Sequence, residues 1–199
     1  MSEKGKLIVI SGPSGSGKST VVNKAIQGRD DMCFSTSVTT RAPRPGEVDG
    51  KDYFFIDPQR FQEMVEKDEL LEHAEYVAHC YGTPRAFVEQ KLEAGLNVIL
   101  DIEVQGARQV REKMKDAVLI FIVPPSLDEL RRRLVNRGTD APDVIEARLQ
   151  RASEELKEAE LYDYLIINDD LQIAAGEFTS ILTAEHCRVS HKKHLLKDF

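Results

Sequence analysis

The sequence predicts an α/β fold: a parallel sheet core flanked by helices, with a small α+β lobe and a helical lid set into it. Three observations carry this. Short apolar runs recur without alternation, at Leu7–Ile10, Asn97–Leu100, Ala117–Val123 and Leu165–Ile167. Helical periodicity fills the spaces between them, and a Gly-rich stretch separates the first run from the first helix. Apolar runs of this kind are strands buried on both faces, which is the signature of parallel strands joined by crossover helices.

The elements follow in order. Val21, Val22, Ala25 and Ile26 mark a helix after the first run. Residues 34–83 read differently, with a turn at Pro43, Pro45 and Gly46, an aromatic stretch at Tyr53-Phe54-Phe55, a short helix over Pro58–Glu66 and a strand-like segment over Leu70–Tyr81. That mixture predicts a small α+β insertion, and long insertions in α/β folds carry function more often than not. A helix is expected from near Glu103. After the Ala117–Val123 strand, Leu127, Leu130 and Leu134 repeat at helical spacing in an Arg-rich stretch. Ile145, Leu149, Ala152, Leu156 and Ala159 step by 4, 3, 4 and 3, so one helix face is expected through Ala159. Ala174, Ala175, Phe178, Ile181 and Leu182 place a last helix between Leu171 and Cys187.

Composition narrows the function classes. The 199 residues carry 27 Lys plus Arg against 34 Asp plus Glu, a net charge of −7, the opposite sign to a generic nucleic-acid binder. The longest apolar run is far too short to span a bilayer, and the polar start of the chain reads as no signal peptide. Cys33, Cys80 and Cys187 are widely spaced and imply neither a disulfide framework nor a metal pair. A cytoplasmic protein without nucleic-acid or membrane partners is expected; nothing in the sequence sets an oligomeric state.

Gly12-Pro13-Ser14-Gly15-Ser16-Gly17-Lys18-Ser19 has the pattern G-x-x-x-x-G-K-S, after a strand and opening a helix with Thr20. Glycines let backbone N–H groups turn inward around a phosphate, and the helix N-terminus adds positive potential. Lys18 would reach the β- and γ-phosphates and the Ser19 hydroxyl would hold Mg²⁺. No N-K-x-D guanine motif accompanies the loop, which disfavours a GTPase. Arg41 and Arg44, three apart, with Glu47, Gly50 and Tyr53, form a second candidate phosphate site, with a solvated charged loop as the alternative. Asp101, ending an apolar strand, sits where α/β proteins place ligands; the alternative is a cap for the helix near Glu103.

These motifs, with Leu71-Glu72-His73-Ala74-Glu75, Tyr81-Gly82-Thr83-Pro84, Leu100 to Ala107, Arg133 to Asp140, Arg148-Leu149 and Asn168-Asp169-Asp170, make the chain resemble the guanylate kinase family over nearly its whole length. The resemblance implies a P-loop kinase fold in a single domain, with a core of residues 1–33, 85–125 and 151–199, a GMP-binding lobe of 34–84 and a lid of 126–150. It implies ATP-dependent phosphorylation of GMP, and of dGMP, with Mg²⁺. Gly12 to Thr20, Arg133, Arg137 and Asn168 would bind ATP. Ser37, Glu72 and Thr83 would hold guanine; Arg41, Arg44, Tyr53 and Tyr81 would hold the GMP phosphate. Asp101 would act near Mg²⁺, through water, and GMP. Lys18, Arg44, Arg137 and Arg148 would be catalytic.

Residue chemistry agrees. Guanine presents N1–H and an N2 amine side by side, and one carboxylate accepts both; adenine has no N1–H. Six arginines lie within 131–151, and spreading charge on a transferring phosphoryl group gives a reason for them. Arg131, Arg132 and Arg151 are expected in surface ion pairs with Glu146, Glu154 and Glu155. The rival is a non-catalytic, peptide-binding module of the same family, which typically lacks a working phosphate loop and lid arginines. Two departures stand out. Ala78-His79-Cys80 replace a common Gly-Asn before Tyr81, putting the turn there in doubt, and Glu103 stands where Asp is usual. His191 and His194 lie in a basic tail that reads as solvated rather than metal-binding.

Overall fold

The computed structural model describes residues 4–76, 78–138 and 140–192; Thr139 and His194 lie outside them. In chain order the elements are β1 (Leu7–Ser11), α1 (Lys18–Ile26), β2 (Met32–Phe34), β3 (Val38–Thr39), β4 (Phe54–Phe55), α2 (Pro58–Glu66), β5 (Leu70–Tyr76) and β6 (His79–Pro84). There follow α3 (Arg85–Glu93), β7 (Asn97–Asp101), α4 (Val104–Lys113), β8 (Val118–Val123), α5 (Leu127–Arg137), α6 (Pro142–Leu156), β9 (Tyr164–Ile167), α7 (Leu171–His186) and α8 (Val189–Lys192).

Two compact units divide the chain. One runs to Ser11 and from Arg29 to Leu119; the other takes Gly12–Gly28 and everything from Ile120. In the first unit β1 lies parallel to β7, from Leu7 opposite Val98 to Ile10 opposite Asp101, and β2 lies parallel along the other side of β7. Every residue of β1 and the first four of β7 are buried, so the lack of alternation in these runs reflects cover on both faces. The same unit holds a second sheet in the order β4-β3-β6-β5, with β3 and β4 parallel and the other pairings antiparallel. Phe61 and Met64 of α2 pack with Val38 and Leu70 to give this sheet its own small core. Asp57 caps α2 by accepting the Arg60 N–H at 2.8 Å, and Pro58 follows at the first helical position.

The segment expected as one strand over Leu70–Tyr81 is a hairpin, β5 turning into β6, with Tyr76 opposite His79. Neither Val77 nor Ala78 is a turn-forming residue type, so residue types alone do not mark the reversal, and only the departure at Ala78-His79-Cys80 pointed to a turn there. Ala78 takes φ 61°, the left-handed conformation that the missing glycine would have adopted freely. Ala78→Gly is therefore expected to stabilise the protein by roughly 0.5–1 kcal/mol and raise Tm by about 1–4 °C. A thermal melt with no gain would show that the turn carries no such cost.

In the second unit β8 and β9 run parallel, from Ile120 opposite Tyr164 to Val123 opposite Ile167. Leu130 and Leu134 of α5 interlock with Ile145, Leu149 and Ala152 of α6. Each fully buried leucine there contributes about 1.5–3 kcal/mol. Ser126 accepts the Glu129 N–H at 3.1 Å to start α5, and Asp170 accepts from Gln172 and Ile173 to start α7. The helix expected through Ala159 ends at Leu156, and Ala159–Leu161 form a separate 3₁₀ turn. Residues 157–163 must turn the chain from α6 into β9, and that reversal overrides the helical spacing. No helix of the described residues is long and apolar enough to cross a membrane.

Candidate functional site

The glycine-rich loop joins β1 to α1 and folds on its own groups. Ser16 N–H donates to Pro13 O at 3.0 Å, and the Lys18 ammonium donates to Gly12 O at 2.6 Å and Pro13 O at 3.3 Å. Gly17 begins α1 at φ 87°, and a Cβ there would lie 2.4 Å from Asn168 Nδ2, so glycine is required twice over. Asn168 is buried, and its side chain donates to Ser16 O at 2.7 Å. Arg133 grips the same loop, donating to Ser16 O at 3.2 Å and to Asn168 O at 2.7 Å, while its Nε meets Glu129 at 2.7 Å. The loop's backbone is thus fixed by residues more than a hundred positions away. Sequence spacing carried no sign of that grip.

The remaining arginines of residues 131–151 are placed differently from one another. Arg148 points at the loop, 3.3 Å from Ser14 Oγ, and lies 3.5 Å from Asp140 Oδ2. Arg137 is exposed in the last turn of α5. Arg131 pairs with Glu146 and Arg151 with Glu155, as expected from their charges. Arg132 pairs instead with Glu129, which lies one turn back on its own helix. Hydrogen bonds from Arg132 and Arg133 hold the Glu129 carboxyl down to about 2. Ser19 and Thr20 are exposed at the start of α1.

In the first unit the other predicted residues fall into two groups. The Arg41 guanidinium lies over Tyr53, 5.5 Å from its ring centre, and Tyr53 meets Tyr81 edge-on at 6.1 Å. Glu47 forks onto Arg41 at 2.8 and 3.0 Å and also accepts the Arg44 N–H at 2.7 Å. Those hydrogen bonds hold the Glu47 carboxyl below its usual range and fix the plane of the guanidinium. Arg44 itself is exposed, and Ser37 lies half-buried beside β3.

The second group is Glu72 and Thr83. Glu72 is 6% exposed and Thr83 is fully buried, and the Thr83 hydroxyl donates to Glu72 Oε1 at 2.6 Å. Burial pushes the Glu72 carboxyl above its ordinary range; the Thr83 hydroxyl opposes this, the Glu103 charge adds to it, and Lys113 counters it. Tyr81 and Thr83, two apart on β6, face the same side of the second sheet. Asp101 ends β7 and is exposed; Glu103, not Asp101, occupies the cap position of α4.

A glycine-rich loop opening a helix after a parallel strand, gripped by arginine and asparagine, defines a P-loop nucleotide-binding protein. Known proteins narrow this further. The family model described as guanylate kinase matches residues 4–185. A guanylate kinase of Lactococcus lactis subsp. lactis is 51% identical over 189 residues, 95% of this chain and 92% of that protein. One of Thermus thermophilus is 53% identical, covering 93% of this chain and 84% of its own. The crystal structure of guanylate kinase from Anaplasma phagocytophilum superposes with a TM-score of 0.71 at 38% identity, over 94% of this chain and 89% of that one. The chain belongs to the guanylate kinase family, and the relatives it matches at about half identity are guanylate kinases, which makes it a nucleoside monophosphate kinase.

Proposed function

We propose that the chain moves the γ-phosphoryl group of ATP to the phosphate of GMP, and of dGMP, giving ADP and GDP by Mg²⁺-dependent in-line transfer in cytoplasmic purine metabolism. The observation that carries the acceptor is the buried Glu72 carboxylate with the Thr83 hydroxyl on one oxygen. Guanine N1–H and N2–H donate to such a carboxylate together. A buried acceptor rejects a base that cannot pair with it by roughly 10⁴–10⁵. Ser37 completes this base site, in the lobe of residues 34–84.

Arg41, Arg44, Tyr53 and Tyr81 take the acceptor phosphate: two guanidinium groups and two phenols suit a dianion. Its oxygen is already anionic, so no general base is required. That oxygen bonds to the γ-phosphorus as the bond to the β,γ-bridging oxygen breaks, and ADP leaves with that electron pair. The loop from Gly12 to Thr20 holds the ATP phosphates through backbone N–H groups and Lys18. Arg133 and Asn168 keep the loop in shape and border the ATP site. Arg137 and Arg148, in the lid of residues 126–150, meet the transferring group. Ser19 and Asp101 carry the hard oxygen donors that Mg²⁺ prefers and would hold it, Asp101 through water. When bound with ATP, Mg²⁺ would neutralise charge on the β- and γ-phosphates.

A coupled assay of ATP against GMP, dGMP, AMP, UMP and CMP tests this reading. GMP and dGMP should turn over far faster than the rest, and comparable rates with AMP would overturn the base assignment. The raised carboxyl of Glu72 gives a further expectation. The guanine contact needs the ionised form, so GMP affinity should fall as pH drops through this group's raised range. GMP binding should also release a proton in that window, read by calorimetry in buffers of different ionisation heat. In Glu72→Gln both effects should vanish; if they persist, another group is titrating. For folding the sign is opposite: the native state holds the Glu72 proton longer than the unfolded chain, so this residue's contribution to stability declines as pH rises through the same window.

A further inference from the structure

One face of α4 meets β5 at three consecutive places. Gly106, Gln109 and Lys113 are spaced by three and four residues, so they line up along the helix. Lys113 Nζ donates to Leu70 O at 2.7 Å and to Asp68 Oδ1 at 2.7 Å. Gln109 brackets the residue next to Glu72, accepting His73 N–H on Oε1 at 3.1 Å and donating from Nε2 to His73 O at 2.9 Å. A side-chain amide used this way replaces a strand partner, fixing position and twist at His73. At Gly106 a Cβ would lie 2.8 Å from Glu72 Oε2 and 3.3 Å from its carboxyl carbon. The carboxylate has little room to yield, because Thr83 holds its other oxygen and burial surrounds it.

We propose that α4 sets the acceptor's base selectivity, with Gly106 supplying the space in which the Glu72 carboxylate lies and Gln109 holding the strand that carries it. Both are positioning residues, acting through Glu72; the inference rests on the guanine role proposed above for that carboxylate. The β5–β6 ladder alone does not fix Glu72, since its register shifts between Leu70 and His73, the stretch that contains this residue. The helix supplies the missing constraint.

The test is calorimetric titration of GMP and inosine monophosphate, which keeps N1–H but lacks the N2 amine, together with kcat and KM for both nucleotide substrates. Gly106→Ala is expected to weaken GMP binding about tenfold, because a misplaced polar group in a closed site costs that much or more. The preference for GMP over inosine monophosphate should narrow, while ATP KM and Tm stay close to wild type. Gln109→Met, nearly the same size without either hydrogen bond, should shift GMP the same way by a smaller factor, and it serves if Gly106→Ala folds poorly. The decisive readout is a cycle with Glu72→Gln: adding Gly106→Ala to that variant should cost no further GMP selectivity. Equal weakening of GMP and ATP, or the full loss repeated without the carboxylate, overturns the proposal in favour of a structural role. Wild type preferring GMP with both α4 variants unchanged overturns this inference alone. Wild type showing no preference for GMP overturns the base assignment and this inference with it.

Discussion

Lys18→Ala is expected to lower kcat by about 10³-fold or more while leaving the melting temperature nearly unchanged. The ammonium sits inside the loop, on Gly12 O and Pro13 O, at the mouth of the first helix. From there it can follow negative charge as it shifts from the γ- toward the β-phosphate, which is where the loop lysine of phosphoryl-transfer enzymes acts. Its removal takes a positive charge from the site proposed to hold polyphosphate. The fold loses little, because the loop keeps its Ser16–Pro13 bond and the grip of Arg133 and Asn168 on Ser16. Lys18→Arg should not restore activity, since a planar guanidinium does not fit the space of a compact ammonium. Near-normal turnover of Lys18→Ala would sink the phosphate-loop assignment.

What could be read from the chain divides along a physical line. β1, β7 and β8 announced themselves because burial on both faces removes nearly every polar residue from a strand. The loop from Gly12 to Ser19 announced itself because phosphate contact needs glycine, lysine and serine at fixed spacing. The β5–β6 hairpin did not, because its turn uses Ala78 in a conformation that alanine seldom takes. The end of α6 was hidden because Ala159 keeps helical spacing although the chain has already turned toward β9. Glu72 illustrates the limit for sites. It stands among Glu63, Glu66, Asp68, Glu69 and Glu75, and only burial and the Thr83 hydroxyl distinguish it from those neighbours. The bracketing by Gln109 and the fork of Glu47 on Arg41 are relations between distant or flexible groups, which no residue type declares. For Glu47 a weak signal existed, since an acid six residues after an arginine in a Pro/Gly turn can fold back onto it.

The pairing of arginines with acids bears on how a chain of net charge −7 handles polyanionic ligands. Arg41 has Glu47, Arg132 and Arg133 have Glu129, and Arg148 has Asp140. Most of these groups are partly covered, yet ion pairs at a protein surface still contribute only modestly to stability. Their larger effect is geometric: a guanidinium already held in one orientation loses less freedom when a phosphate arrives.

Arg148→Ala is expected to lower kcat by about 10²-fold or more, with GMP KM moving only a few-fold, because an arginine that meets the transferring group acts mainly in the transition state. Arg148 already reaches Ser14 Oγ of the phosphate loop, so its guanidinium stands where charge on the donor would spread. Arg148→Lys should recover little, since the fork that spans two oxygens is lost. Asp140→Asn provides the control: it removes a charge 3.5 Å from Arg148 whose oxygen makes no hydrogen bond, and it should lower kcat far less than Arg148→Ala. Arg137→Ala should resemble Arg148→Ala, and the two losses should fall short of additivity in the double variant if both serve the same transition state. A rise in GMP KM at unchanged kcat would instead place Arg148 in ground-state binding and remove it from the chemistry.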